Sequence, residues 1–181
     1  MKIGRQAISL TMLDRFGTNP TQVTGLLSFA ASTIACVIAT RRFACRDSRA
    51  WRVLGFINAL FFCEIFIGSR HRIHDYVNAI LMAEGEYGQR RGMQESIIIW
   101  LATIALICVA LFLFSRRLGG AAVRIAAGLT AGLVTLFAIE TVSLHALDAI
   151  YYRPIGSVLL IGWLWAIAAA GICWAAFTVK G

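Results

Sequence analysis

Five long apolar segments constrain the fold of this chain more than any other feature of its sequence. They cover roughly residues 22–40, 52–68, 96–114, 121–144 and 157–179. Each is close to the ~20 predominantly apolar residues that a helix needs to cross a bilayer. They use most of the 181 residues and short loops join them. The sequence therefore predicts an all-α polytopic membrane protein, a compact bundle of five transmembrane helices in which sequential helices are antiparallel.

The composition agrees with this class. Hydrophobic residues make up 59% of the chain and charged residues only 14%, whereas a soluble protein has about 25% charged residues. The net charge is +8, but the basic residues lie in loops between apolar segments, so we expect a lipid bilayer and no nucleic acid as partner. The five cysteines show no paired spacing, which argues against a disulfide framework or a zinc finger.

The first 20 residues precede the transmembrane bundle. Asp14 and Arg15 interrupt what would be the apolar core of a signal peptide. The apolar residues of this segment instead predict a short amphipathic helix in the membrane interface: Ile8, Leu10, Met12, Leu13 and Phe16. Residues 21–181 are then expected to form a single transmembrane domain.

Basic residues also predict the orientation. The first and third loops, at 41–52 and 116–124, are rich in arginine, and Lys180 lies on the same side of a five-span protein. By the positive-inside rule these regions are cytoplasmic. The margin over the other side is narrow when only Lys and Arg are counted. The prediction is a multi-pass protein of the cell (inner) membrane, with its N-terminus outside and its C-terminus in the cytoplasm.

Two stripes of ionisable residues lie where the second and fourth segments end. The first stripe comprises Glu64, His71, His74 and Asp75, and the second comprises Glu140, His145 and Asp148. All three histidines of the chain belong to these stripes. Because a charge near hydrocarbon costs a few kcal/mol or more, such residues indicate a functional site. On the predicted topology both stripes face the outer side.

Helical geometry relates the members of the first stripe. At about 100° per residue, His71 and Asp75 each fall within roughly 20° of the face of Glu64. This alignment requires the second helix to continue past the bilayer surface to about residue 83. The sequence predicts that it does.

The second stripe is less regular. On one helix, His145, Asp148 and Tyr152 share a face within about 60°, whereas Glu140 lies about 140° from His145. Glu140 therefore contacts a different neighbour, and Tyr151 is on its side.

The ligand types favour a divalent metal site between the outer ends of the two helices. The predicted ligands are His71, His74, Asp75, His145 and Asp148. Mixed imidazole and carboxylate ligation suits zinc, iron or manganese. A supporting polar network is expected from Glu64, Glu140 and Tyr152 together with four residues of the outer loop, the connection between the second and third segments: Glu84, Tyr87, Arg90 and Arg91.

Two other functions fit the same residues. In the first, the histidine and carboxylate pairs form a proton path in a small proton-coupled transporter or a quinone-site redox protein. In the second, the chain is a non-catalytic assembly or accessory subunit, bound to another membrane protein or to further copies of itself. Whether the chain is an enzyme stays open, because it contains no P-loop, nucleophile elbow, Rossmann fingerprint or HExxH motif.

The spacing of these residues also suggests an internal repeat. The double arginine at 41–42 recurs at 116–117, Glu64 corresponds to Glu140, and His71 corresponds to His145, at offsets of 74 to 76 residues. Residues 22–83 and 96–152 would then be two repeated helical hairpins in parallel orientation, followed by a fifth helix. The alternative is that any two membrane hairpins share basic inner loops. The fifth segment has no ionisable residue and many small ones, so we expect a structural helix that faces lipid or a partner subunit.

Overall fold

The structure is a computed structural model and describes residues 19–42, 45–68, 96–104, 106–107, 110, 119–142 and 149–178. Four long helices occupy most of this part: α1 (Pro20–Arg42), α2 (Cys45–Ile67), α3 (Ala121–Val142) and α4 (Leu160–Thr178). Strands β1 (Pro154–Ile155) and β2 (Val158–Leu159) pair antiparallel in a short hairpin. Residues 96–104 are helical too.

All four labelled helices are long and apolar enough to cross a membrane. The predicted helical class is therefore confirmed, and the four helices are consistent with a multi-pass membrane protein. The segment at 96–114 is described only in part, so a fifth span stays a prediction, and so does the internal repeat. The predicted interfacial helix lies outside the described residues, apart from Asn19 and Pro20.

Contacts at the helix ends show that α2 runs antiparallel to α1 and parallel to α3. The Gln22 side chain, at the start of α1, donates from Nε2 to the Ile65 carbonyl near the end of α2, at 3.1 Å. The carboxylate of Asp47, in the first turn of α2, accepts from the Gly120 amide just before α3, at 3.1 Å. Both α2 and α3 therefore begin at the same end of the bundle.

The last helix, α4, runs parallel to α1. At one end the Leu159 amide donates to Thr21 Oγ1 at 2.9 Å, and at the other Arg42 donates to the carbonyls of Ala176 and Phe177. We call the end that holds Arg42, Asp47 and Gly120 the basic end. The opposite end, where the β-hairpin lies beside the start of α1, is the hairpin end.

Aromatic rings fill the core towards the hairpin end. Phe29 of α1 lies 5.3 Å from Phe61 of α2 and 5.8 Å from Phe137 of α3, between ring centroids. Phe61 and Phe137 are stacked at 4.6 Å, and Trp165 of α4 stacks on Phe137 at 5.7 Å. Offset or tilted ring pairs of this kind stabilise a core beyond the area that they bury. The four helices thus meet in one aromatic layer.

Small residues let α4 approach its neighbours. A Cβ on Gly25 would lie 2.9 Å from the Trp165 ring, and one on Gly171 would lie 2.6 Å from Leu129. One face of α4 is buried, with Trp165 only 2% exposed, whereas Trp163 and Trp174 on the other face are exposed. Close packing through small residues is the expected mode of helix association in lipid.

The second helix begins at Cys45, seven residues before the predicted segment, and two further predicted helix boundaries are wrong. The second helix does not continue to residue 83, because α2 ends at Ile67 and Gly68 follows with φ 66°. The Gly68 amide still donates to the Glu64 carbonyl at 2.7 Å, which is a helix ending on a left-handed glycine. The last helix begins at Leu160 rather than at residue 157, because the preceding residues form the hairpin, with Gly156 at φ 68° in its turn.

Candidate functional site

Most of the predicted site lies outside the described residues. This applies to all five predicted metal ligands, His71, His74, Asp75, His145 and Asp148, and to Glu84, Tyr87, Arg90 and Arg91 of the outer loop. The described members are Glu64, Glu140 and Tyr152. Within the described part of the chain, no three His, Cys, Asp or Glu residues come together as a metal site would need. The metal site therefore stays a prediction.

Glu140 is the most buried carboxylate of the described residues. It lies in the last turn of α3 and is 6% exposed. The hydroxyl of Tyr152, just before the hairpin, donates to Glu140 Oε1 at 3.2 Å. A buried carboxylate needs such a partner, because an unpaired polar group in a low dielectric is costly.

This hydrogen bond corrects the geometry expected for the fourth helix. On one straight helix, residues 140 and 152 would be separated by about 18 Å, too far for their side chains to meet. Instead α3 ends at Val142, and residues 149–151, directly before Tyr152, are helical. Tyr152 therefore does not lie on a straight continuation of α3. The face predicted for His145, Asp148 and Tyr152 stays a prediction, because His145 and Asp148 lie outside the described residues.

The helix that was expected to align the first stripe is interrupted between Glu64 and His71. Glu64 lies on α2, but the helix ends three residues later at Ile67. The alignment of Glu64 with His71 and Asp75 required an unbroken helix through Gly68, which the positive φ of that glycine interrupts.

Glu64 and Glu140 lie at the same level of the bundle. Each follows by three residues a phenylalanine of the stacked pair Phe61–Phe137, whose centroids are 4.6 Å apart. Because α2 and α3 run parallel, both carboxylates lie about one helical turn beyond this pair, towards the hairpin end. Glu64 is half-buried and Glu140 is buried.

Helix electrostatics makes this level attractive to a cation. Both glutamates lie in the last turns of their helices, where the macrodipole disfavours a negative charge and favours a positive one. Neither α2 nor α3 carries a basic residue in its last turn. The two carboxylates and the two helix C-termini thus both favour a cation at this level.

A buried polar network near the middle of the bundle was not predicted from the sequence. Ser32 Oγ donates to Asn58 Oδ1 at 2.9 Å, and Asn58 Nδ2 donates to the Leu54 carbonyl at 2.9 Å and to Thr130 Oγ1 at 3.5 Å. Ser32 and Asn58 are fully buried and Thr130 is 2% exposed. The network joins α1, α2 and α3. An amide within the apolar stretch 53–63 was its only signal in the sequence.

An apolar groove lies beside this network. It is a half-open cavity of about 500 Å³ between α2, α3 and the helical segment 96–104. Its lining includes Leu54 and Ile57 of α2, Leu101 and Ile104 of the segment, and Ala127 and Thr130 of α3.

Comparison of the sequence with known protein families and with characterised proteins, and of the structure with solved structures, finds no match.

Proposed function

We propose that this protein binds a divalent metal ion, zinc, iron or manganese, at the hairpin end of its membrane bundle. The ligands are His71, His74, Asp75, His145 and Asp148, with Glu64 and Glu140 as the inner boundary of the site. The observation that carries this proposal is the common level of Glu64 and Glu140 at the end where α2 and α3 both stop. Both histidine segments continue from these two helix ends in the sequence.

Two physical arguments support a cation here. The carboxylates and the helix C-termini both favour positive charge at this level. The chain places all of its histidines within eight residues of these helix ends, although imidazole is rare in so apolar a sequence. Neutral imidazole and carboxylate together form a common ligand set for these metals in helical bundles.

The direction of α2 and α3 supports the five-span architecture of the proposal. Both helices start at the basic end, so the chain between Gly68 and Gly119 has to return from the hairpin end to the basic end. Residues 96–104 of this stretch are helical and apolar. In a membrane, such a return is a further span, which gives five.

The distribution of charge supports the proposed orientation. Among the described residues, six of the arginines lie towards the basic end: Arg41, Arg42, Arg46, Arg49, Arg52 and Arg124. Arg153 lies at the hairpin end. By the positive-inside rule the basic end is cytoplasmic and the proposed metal site faces outward, in the cell (inner) membrane.

Metal analysis of the purified full chain tests the proposal. The detergent-solubilised protein is loaded separately with zinc, iron(II) and manganese, desalted and analysed by mass spectrometry for its metal content. We expect roughly one ion per chain, as for a single bundle site, and a raised melting temperature with the bound metal. His71→Ala and His145→Ala should each lose the ion.

The matched control is Cys63→Ser. Cys63 is an exposed free thiol on α2 and the kind of group that binds metals adventitiously. Its replacement should leave the stoichiometry unchanged. A wild-type chain with neither stoichiometric metal nor a metal-dependent melting temperature would overturn the proposal.

The second candidate function is an assembly or accessory subunit, held by buried hydrogen bonds and active through contact with another membrane protein or a second copy. The Tyr152–Glu140 hydrogen bond favours it, because it joins α3 to the segment before the hairpin without any ligand. This function predicts that gentle extraction recovers a stable complex. A lone metal-free monomer under those conditions would count against both candidates.

A further inference from the structure

The groove between α2 and α3 is lined by apolar residues apart from two threonines. Thr130 and Thr135 of α3 line it, and the other lining residues are Ala, Val, Leu and Ile. Its volume of about 500 Å³ falls within the ~300–1,000 Å³ of typical small-molecule sites. The two threonines differ in what their hydroxyl groups do.

The hydroxyl of Thr135 is already used. It donates to the Ala131 carbonyl at 2.9 Å, one helical turn earlier. Thr24, Thr40 and Thr141 make the same bond to the carbonyl four residues before them. This local bond is the ordinary way to satisfy a threonine in a helix.

Thr130 is different, because the network fixes it as an acceptor. The Leu54 carbonyl can only accept, so the atom of Asn58 that faces it must be Nδ2, and Asn58 Oδ1 must face Ser32. The other hydrogen of Nδ2 is then directed to Thr130 Oγ1, at 3.5 Å. Among the described residues this is the only hydrogen bond of the Thr130 side chain, so its own hydroxyl hydrogen has no acceptor there. The side chain is nevertheless 2% exposed.

The position of Thr130 restricts the molecule that can supply an acceptor. At 1.5 Å per residue, Thr130 lies about 14 Å from the start of α3 and about 18 Å from its end, near the middle of a ~30 Å hydrocarbon core. Phospholipid carbonyls stay in the polar interface, far from this depth. An acceptor that reaches Thr130 has to be carried by a neutral, apolar body.

We propose that this groove binds a membrane-soluble carbonyl compound of the quinone class, whose carbonyl oxygen accepts a hydrogen bond from Thr130 Oγ1. The ring lies against the aliphatic side chains of Leu54, Ile57 and Ala127, and Asn58 holds the threonine in its donor orientation. The site is separate from the proposed metal site at the hairpin end and does not depend on it.

A matched pair of ligands tests the proposal. Menadione (2-methyl-1,4-naphthoquinone) and 2-methylnaphthalene share their carbon skeleton and differ in the two carbonyl oxygens. Titration calorimetry on the full chain in detergent, corrected with protein-free micelles, measures each affinity. We expect the wild-type chain to bind menadione at least about tenfold more tightly, because tenfold corresponds to about 1.4 kcal/mol, the size of one net hydrogen bond. Equal affinities would overturn the proposal.

Three variants locate the effect. Thr130→Val should weaken menadione binding about tenfold and leave 2-methylnaphthalene unchanged, whereas the control Thr135→Val should change neither. Val134→Trp, at a half-exposed lining residue, should fill the groove and abolish binding of both compounds. Unchanged menadione affinity in Thr130→Val, or in Val134→Trp, would overturn the proposal.

Two further outcomes are decisive. If Thr130→Val does not fold, the wild-type ligand pair and Val134→Trp decide the question alone. If the wild-type chain binds neither compound and native mass spectrometry finds a phospholipid that Val134→Trp excludes, the groove is a lipid site and the proposal is wrong.

Discussion

The two ends of the bundle use their charged residues in opposite ways. At the basic end, Arg42 lies in the last turn of α1 and donates to the last carbonyls of α4, while Asp47 lies in the first turn of α2 and accepts from the amide before α3. Each of these charges agrees with the helix macrodipoles. At the hairpin end, Glu64 and Glu140 occupy last turns, where their charge opposes the dipole.

The difference separates charges that stabilise the fold from charges that need another explanation. A residue that breaks a local rule is a better candidate for function than one that obeys it. By this criterion Glu64 and Glu140 are functional candidates, and Arg42 and Asp47 are structural. Three substitutions test the comparison, from the largest expected effect to the smallest.

The largest effect is expected at the basic end, from Gly119→Ala. Gly119 has φ 131°, and a Cβ there would lie 2.6 Å from Asp47 Oδ1. Strain at positive φ and the displaced Asp47 together should lower the free energy of unfolding by about 2–3 kcal/mol. Thermal melting of the detergent-solubilised protein measures the change.

Gly132→Ala is the control for this substitution. Gly132 lies within α3 and nothing lies within 4 Å of the Cβ that it would gain, so alanine should stabilise the helix by about 0.5–1 kcal/mol. An equal change in the free energy of unfolding in Gly119→Ala and Gly132→Ala would mean that Asp47 does not fix the junction between α2 and α3.

An intermediate effect is expected from Arg42→Gln. Loss of a charged donor to the carbonyls of Ala176 and Phe177 should destabilise the protein by about 1 kcal/mol. Arg41→Gln removes the same charge from an exposed neighbour in the same turn and should cost only a few tenths of a kcal/mol. Identical melting temperatures for these two variants would show that the contact of Arg42 with α4 does not contribute to stability.

The smallest effect is expected at the hairpin end, from Tyr152→Phe. It removes the hydrogen bond to Glu140 from a tyrosine that is 38% exposed. The expected loss is about 0.5 kcal/mol, because solvent or lipid headgroups partly replace the bond. If Tyr152→Phe destabilises the protein as much as Gly119→Ala does, the main role of the Tyr152–Glu140 hydrogen bond is to stabilise the fold at the hairpin end. The assembly function would then be favoured over metal binding.

Apolar segment length predicted most of the fold. The segment at 22–40 corresponds to α1. Asn19 and Pro20 set the start of this helix, and Asn19 Oδ1 accepts a hydrogen bond from the Thr21 amide at 3.0 Å. The start of α2 was missed, because Asp47 is polar and its reason to be helical is a contact with Gly120, 73 residues later. A contact between residues so far apart in the sequence leaves no local pattern from which it could be predicted.

The candidate site was harder to predict than the fold. Helical periodicity predicted that α2 continues through Gly68, because a glycine does not change the pattern of apolar and polar positions. In the structure Gly68 has a positive φ and the helix ends before it. The buried network was missed for a related reason. Asn58 stood out as an amide among apolar residues, but its partners Ser32 and Thr130 are 26 and 72 residues away.

The parallel packing of α1 and α4 has a consequence for biosynthesis. The face of α1 that holds Gly25 and Phe29 is completed by Trp165, which is translated well over 100 residues after that face. With roughly 120 residues between the two helices, and synthesis at about 5–20 residues per second, the first helix waits roughly 6–24 s in the membrane for its last neighbour. Throughout that interval its small-residue face is open to insertase, chaperone or lipid, so quality control of this protein is expected to act on α1.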